Sequence, residues 1–207
     1  MMEIALAVRD VLLAPRCAGC DEPGSWFCFS CRDQCEPVAH EGRLAIRAAG
    51  AHTGPLRAAI RRLKYGAEAG LAEELGALVA LELGRDLARG LTIDTVVPVP
   101  LHRSRAASRG YDQALLLAHA VASRTGLPLR PALHRIRGGR PQVELDRVAR
   151  ARNIRGAFVA EAGSLRGLRV ALVDDVATTG ATLMDAAAAA RAAGARIVRA
   201  YVVAVEE

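Results

Sequence analysis

Aromatic side chains are nearly missing from this sequence: three Tyr, three Phe and one Trp make up 3% of its 207 residues. A core must therefore be built from Ala, Leu and Val, and platforms for base stacking are scarce, which argues against strong stacking as a mode of nucleic-acid binding. Lysine is scarcer still. Lys64 is the sole one, so Arg carries almost all the positive charge. No apolar run reaches the roughly 20 residues of a membrane-spanning helix. Residues 1–13 are interrupted by Glu3, Arg9 and Asp10 and make a poor secretory leader. The expectation is a cytoplasmic protein without a membrane span. Cysteine is absent after residue 35, which in a chain of this location points away from a disulfide framework.

What is present is ordinary for a globular chain, with 52% hydrophobic and 24% charged residues. The length suits one good core and a small appendage. Net charge is +6, but it is unevenly spread. Residues 101–155 hold twelve Arg against three acids, a local excess of nine, so the remainder is slightly acidic. A basic block inside a near-neutral protein suggests an anionic partner, either a diphosphate or nucleic acid. Genomic base composition also explains an excess of Arg and Ala.

The stretch 169–183 organises the chain. Val170, Ala171, Leu172 and Val173 form a short strand-like run. Asp174 and Asp175 follow, and they read as an acidic turn. Ala177, Thr178, Thr179, Gly180, Ala181 and Thr182 form a small, hydroxyl-bearing loop, and 183–193 is an Ala-rich helix stopped by Gly194. A helix start with glycine and hydroxyl donors suits a phosphate monoester. The carboxylates beside it would accept hydrogen bonds from a ribose diol. A sugar 5-phosphate is the ligand these residues describe. The plainer alternative is a strand, turn and helix with Asp175 as N-cap.

All five cysteines lie between positions 17 and 35. Cys17-x-x-Cys20 and Cys28-x-x-Cys31 can present four thiolates to one tetrahedral ion, and such a site favours zinc. Cys35 is the alternate ligand, and His40 a weaker one. Trp26, Phe27 and Phe29 alone would form a poor core, so metal would supply much of the appendage's folding energy.

Elsewhere, 36–42 reads as a linker and 44–51 as a strand; helices are expected over 55–64 and 67–89. In the second helix Leu71, Leu75, Leu78, Val79 and Leu83 share a face. Lys64, at a helix end beside Tyr65 and Gly66, is either solvated or a ligand contact. A strand from Asp94 runs into the proline-stiffened loop Pro98, Val99, Pro100, Leu101, His102. Arg103, Arg105 and Arg109 follow, a plausible cradle for a diphosphate. Asp112 caps a helix over 113–125 that stops at Gly126. Strands are expected over 129–136, 156–161 and 197–205, with a long basic loop over 137–153 that suits a lid.

The acidic pair followed by Thr178-Thr179-Gly180-Ala181-Thr182 resembles the 5-phosphoribosyl-1-pyrophosphate (PRPP) motif of type I phosphoribosyltransferases. Further segments agree in order: the four-cysteine knuckle, Leu63-Lys-Tyr-Gly66, Pro98 to Arg105, and Arg109-Gly-Tyr-Asp-Gln113. They are followed by Gln142, Leu145, Arg147, Arg150, Asn153 and Ala157-Phe158. Over essentially the whole length the chain resembles the ComF family of competence proteins. It departs from that pattern at Asp112, where Asn is usual, and at Gly139, where Thr is common.

The resemblance implies an α/β fold, a type I phosphoribosyltransferase-like parallel sheet flanked by helices over 41–207. A zinc-ribbon-like segment over 1–40 precedes it. It implies PRPP with Mg²⁺ at Asp174, Asp175 and 177–182, and the leaving diphosphate at Pro100, Leu101, His102, Arg103 and Arg105. It also implies a role in natural transformation, with single-stranded DNA and competence-machinery proteins such as a DNA helicase as partners. Two classes of function follow. One is a PRPP-dependent glycosyltransferase with a nitrogen acceptor, in which Asp174 and Asp175 are catalytic. The other is a binding module that keeps the phosphoribosyl pocket. In 6-oxopurine salvage relatives an acid lies three positions after the second acidic residue. Thr178 stands there and is a poor proton acceptor, which argues against 6-oxopurine salvage.

Overall fold

The computed structural model describes residues 14–102, 107–136 and 156–206. In chain order its elements are α1 (Phe29–Arg32), β1 (Val38–His40), β2 (Ile46–Ala51), α2 (Gly54–Tyr65), α3 (Leu71–Ala88) and β3 (Thr95–Pro98). Then come α4 (Gln113–Thr125), β4 (Leu133–Arg135), β5 (Phe158–Ala160), β6 (Arg169–Ala177), α5 (Ala181–Ala192) and β7 (Ile197–Val205).

Five strands form one sheet in the order β1-β2-β7-β6-β3, all parallel except β1. Parallel strands need both faces covered, and the alternation along β6 and β7 supplies two apolar faces. Ala171, Val173, Tyr201 and Val203 point into a cluster with α2, α3 and α4, built on Ile60, Leu75, Val79 and Leu117. Val170, Leu172, Ala200 and Val202 point the other way, against Leu183, Ala186, Ala187 and Ala190 of α5. Alanines there let the helix lie close to the sheet. β4 and β5 form a separate antiparallel pair beside α5. The mixed α/β, mostly parallel architecture is the one expected. Among the described residues no helix is long and apolar enough to cross a membrane.

Close helix contact is set at Gly76, where an added Cβ would lie 2.5 Å from Ala120 Cβ and 3.1 Å from the Leu117 carbonyl oxygen. Gly76→Ala would gain about 1 kcal/mol of helix propensity. The clash, with a neighbouring helix rather than a flexible tip, costs about 1–3 kcal/mol. A lower urea midpoint is expected, and an unchanged or higher one would show that α3 and α4 have room to part.

Several boundaries differ from the sequence reading, each for a physical reason. The helix over 113–125 has the bounds expected, because its signals are local: Asp112 accepts from Leu115 N at 3.2 Å, and Gly126 sits at φ 70°. β6 is longer than 170–173. It continues through Asp174 and Asp175 to Ala177, because its register with β7 runs from Arg169↔Ile197 to Ala177↔Val205. The acids are strand residues, not a turn; the ladder overrides their poor strand propensity. The expected linker over 36–42 contains β1, paired antiparallel to β2. The strand expected over 129–136 is shorter. Pro131 has no N–H to give a ladder, so Leu129 makes one bridge to Val96 and only Leu133–Arg135 pairs with β5. The helix expected over 67–89 starts at Leu71, after a turn with Ala67 at φ 56°.

Candidate functional site

The crevice forms where β3 and β6 end. Pro98 pairs with Val173, and Val99 N donates to Val173 O at 2.9 Å. The proline loop and the acidic pair therefore leave neighbouring parallel strands side by side, the place where open α/β sheets take ligands. Asp112 fixes the loop. One of its carboxylate oxygens caps α4, and the other accepts from Leu101 N at 3.0 Å. Pro100, Leu101 and His102 face Leu133, His134, Arg135 and Ile136 across a cleft of about 490 Å³. Arg103, Arg105 and the basic stretch 137–155, with Gln142, Leu145, Arg147, Arg150 and Asn153, lie outside the described residues.

Asp175 is 8% exposed, and its carboxylate meets Lys64 Nζ at 2.9 Å. Asp174 is half-buried, and its Oδ1 accepts from the N–H of Asp175 at 2.8 Å. Its carboxyl is pushed up to about 8. Desolvation is the first cause and the Asp175 charge the second, with Asp112 adding to them; the Asp175 N–H and Lys64 oppose.

After β6 the chain passes Thr178 and Thr179, both exposed, and turns at Gly180, whose φ of 70° is left-handed. Ala181 N donates to Thr179 Oγ1 at 3.4 Å, and Ala181 opens α5. The helix therefore begins two residues earlier than expected, inside the hydroxyl-bearing loop. Its first-turn N–H groups lie at Ala181, Thr182 and Leu183, where an α-helix has no internal acceptors to offer. Asp174, Asp175 and 177–182 thus form one continuous acid-then-donor edge.

Three side chains that matter here were not assigned from sequence. The sequence leaves Lys64 open between solvent and a ligand contact; in the structure its ammonium pairs with Asp175. Tyr111 donates from its hydroxyl to Leu63 O, and Arg109 lies 5.1 Å over the Tyr65 ring, so the two ends of that turn are held. Asp185, one turn into α5, accepts from three backbone N–H groups: Gly156 at 2.7 Å, Ala157 at 2.8 Å and Phe158 at 3.3 Å. It ties the start of β5 to the helix of the donor loop. Its only sequence signal is an acid in a run of alanines.

The Sγ atoms of Cys17, Cys20, Cys28 and Cys31 all lie within 4.8 Å of one another, a set that could hold a metal ion. Cys17 and Cys31 are 3.7 Å apart and Cys20 and Cys28 3.5 Å. A tetrahedral site with metal–sulfur bonds of about 2.3 Å has sulfurs about 3.8 Å apart, so the residues fit. Burial opposes a thiolate at Cys17, but N–H groups of Cys28, Cys20 and Gly19 outweigh it and bring the thiol down to about 6. Cys35 stands outside the set, with its Sγ turned to the Cys31 carbonyl at 3.5 Å. Of the nearby aromatics, Phe27 is fully buried with α2 and α3 residues, and Trp26 covers Gly70; Phe29 is 75% exposed. The knuckle's apolar side is therefore part of the main core.

No protein-family model matches the chain. Competence protein F of Haemophilus influenzae is 28% identical over 183 residues, 86% of this chain and 79% of that protein. The DNA utilization protein YhgH of Salmonella typhimurium is 31% identical over 187 residues, 88% of this chain and 80% of that protein. Among solved structures, the glutamine PRPP amidotransferase of B. subtilis with ADP and GMP is similar at 26% identity and a TM-score of 0.44. That likeness covers 66% of this chain and 26% of the amidotransferase, so the chain spans about a quarter of its length. The purine phosphoribosyltransferase of Pyrococcus horikoshii is similar at 18% identity and a TM-score of 0.36, over 63% of this chain and 73% of that one. With the extent and level of likeness to the two bacterial proteins established, the chain belongs to the family of competence protein F and YhgH.

Proposed function

We propose that this chain binds PRPP with Mg²⁺ in the crevice and handles single-stranded DNA in the cytoplasm. The observation that carries the first part is the acid-then-donor edge at the carboxyl end of β6. In this reading Asp174 and Asp175 take the ribose hydroxyls, and Ala177, Thr178, Thr179, Gly180, Ala181 and Thr182 take the 5-phosphate. The loop from Pro100 through Leu101 and His102 to Arg103 and Arg105 takes the diphosphate. Mg²⁺ would neutralise the diphosphate when bound. The protein's own part is positional and electrostatic: Asp112 presets the loop by accepting from Leu101 N, and in this reading the carboxylates and the helix-start donors meet different parts of one ligand. The four cysteines hold a structural zinc in a segment over 1–40, and 41–207 carries the PRPP site.

Calorimetric titration with PRPP and Mg²⁺ tests the site, and a pyrophosphate-release screen with nitrogen acceptors follows it. Binding without release makes the chain a PRPP-gated module; release with one acceptor makes it a phosphoribosyltransferase. No heat with PRPP overturns the reading.

The DNA part rests on the basic block over 101–155 and on the DNA utilization names of the relatives. Phosphate neutralisation dominates such binding, so affinity is expected to fall about tenfold or more between about 50 and 200 mM salt, with little sequence preference. Mutating Arg147, Arg150 and Arg152 together to Gln should weaken DNA binding, read by fluorescence anisotropy, and leave PRPP binding intact. Unaltered DNA binding would remove the block from the DNA path.

A further inference from the structure

We infer that Lys64 is a two-position residue. Its ammonium neutralises Asp175 while the crevice is empty, and it moves onto the diphosphate of Mg²⁺·PRPP when the crevice fills. This rests on the PRPP reading above and assigns a role to a side chain outside it.

Composition supplies the first argument. Of 28 cationic side chains, all but Lys64 are Arg. A position where any cation serves would be Arg in such a chain, yet the lone Lys is the one on the acidic pair. The two side chains differ in the property that matters. A guanidinium forks across carboxylates in a fixed, bidentate geometry, whereas an ammonium is a compact charge on a flexible stem. Across two adjacent acids an Arg would lock; a Lys can be drawn away.

Geometry supplies the second. The backbone on either side of Lys64 is held, by Tyr111 on the Leu63 carbonyl and by Arg109 over the Tyr65 ring. Gly66 continues the tight turn, where a Cβ would lie 2.8 Å from the Arg62 carbonyl oxygen. The root of the side chain is fixed while its tip has two directions. In one direction stands Asp175 at 2.9 Å. In the other is a cleft of about 500 Å³ lined by Lys64, Tyr65, Ala67, Ser108 and Arg109. Ser108 and Arg109 on its wall follow the proline loop in sequence, and two of its lining side chains, Lys64 and Arg109, are cationic.

The ligand provides both a reason to leave and a destination. Ribose hydroxyls and the accompanying divalent cation take over the neutralisation of the carboxylates. The diphosphate then offers the displaced ammonium a stronger anion than the one it has lost. Pairing with Lys64 also keeps Asp175, which is nearly buried beside Asp174, from standing uncompensated in the empty crevice.

A single lysine makes the test direct. Protein grown with ¹⁵N-lysine carries one side-chain ammonium, so one resonance reports Lys64. The resonance should move when Asp175→Asn is introduced, and move to a different position on saturation with Mg²⁺·PRPP. Two ligands separate the halves of the role. Lys64→Met should leave the affinity for ribose 5-phosphate equal or higher, and weaken PRPP by about tenfold or more, as expected for one charge-assisted contact. Lys64→Arg should weaken both by a similar factor, because the guanidinium stays. If Lys64→Met shifts both ligands equally, or the ammonium signal is unmoved at saturation, the inference is overturned while the PRPP site stands. If the wild-type protein gives no PRPP binding, the reading and this inference fall together. Should Lys64→Met fail to fold, the resonance of the wild-type protein decides alone.

Discussion

Replacing both acids, Asp174→Asn with Asp175→Asn, is expected to abolish Mg²⁺·PRPP binding, by about a hundredfold or more, since charge-assisted contacts to both carboxylates are lost. The fold should survive, and the single variants should move stability in opposite directions. Asp174 has a native pKa raised to about 8, whereas in the unfolded chain an Asp titrates near 3.9. Between those values the unfolded state is ionised and the native state protonated, so the native state binds more protons. Stability therefore falls as pH rises from about 4 to about 8, and the full penalty persists above. Asp174→Asn removes that penalty and should stabilise the ligand-free protein by about 1–3 kcal/mol at pH 9, shrinking to nothing near pH 4. Asp175→Asn strips Lys64, itself only 19% exposed, of its partner. It should destabilise by about 1–3 kcal/mol. In the double variant the two effects oppose each other at pH 9, and near pH 4 the loss of the Lys64 pair stands alone. Urea melts at pH 4, 7 and 9 check the signs. A wild-type PRPP affinity in the double variant would remove the acids from the site.

The second large effect is expected at the cysteines. The protein purified without added metal should contain one zinc per chain by elemental analysis. Cys31→Ser should lose it, and Cys35→Ser should keep it. Because Cys17, Ala18, Phe27 and Cys31 share a cluster with Leu56, Ile60, Leu63 and Leu75, metal loss should not be confined to the knuckle. Structural zinc contributes about 10–16 kcal/mol in small metal-folded peptides, which exceeds the total stability of most domains. Removing it with a chelator should therefore lower the melting temperature of the whole cooperative unit, read by circular dichroism at a helix band. Retention of the metal by Cys31→Ser with loss in Cys35→Ser would overturn the ligand set. An unchanged melt after chelation would show that the knuckle and the helices are energetically separate.

What is legible in the sequence follows the range of the forces involved. Asp112 and Gly126 end their helix within a turn of themselves, and paired C-x-x-C spacing carries its own geometry, so both could be read locally. The strand identity of Asp174 could not, because it comes from β7, which places Val202 opposite Asp174 and carries the ladder on to Ala177↔Val205. The Lys64–Asp175 pair joins residues on different elements far apart in the chain, and no local pattern announces it. Asp185 was hidden for the same reason: its three partners are N–H groups at 156–158, and a backbone N–H has no residue type to recognise. The site's residue types were readable in the sequence, whereas its electrostatic state was a product of packing.

The strand order has a consequence for how such a chain is made. β7 lies between β2 and β6, yet it is translated after every other strand described. Until it emerges, β2 and β6 each present an unpaired edge, and no ladder joins the N-terminal β1–β2 pair to the β6–β3 pair. The nascent chain must hold two half-sheets apart on the ribosome, where unpaired edges invite association with other chains. A ribosome stalled shortly before position 197 would thus release a polypeptide that carries six of the seven described strands with the two parts of the sheet unjoined.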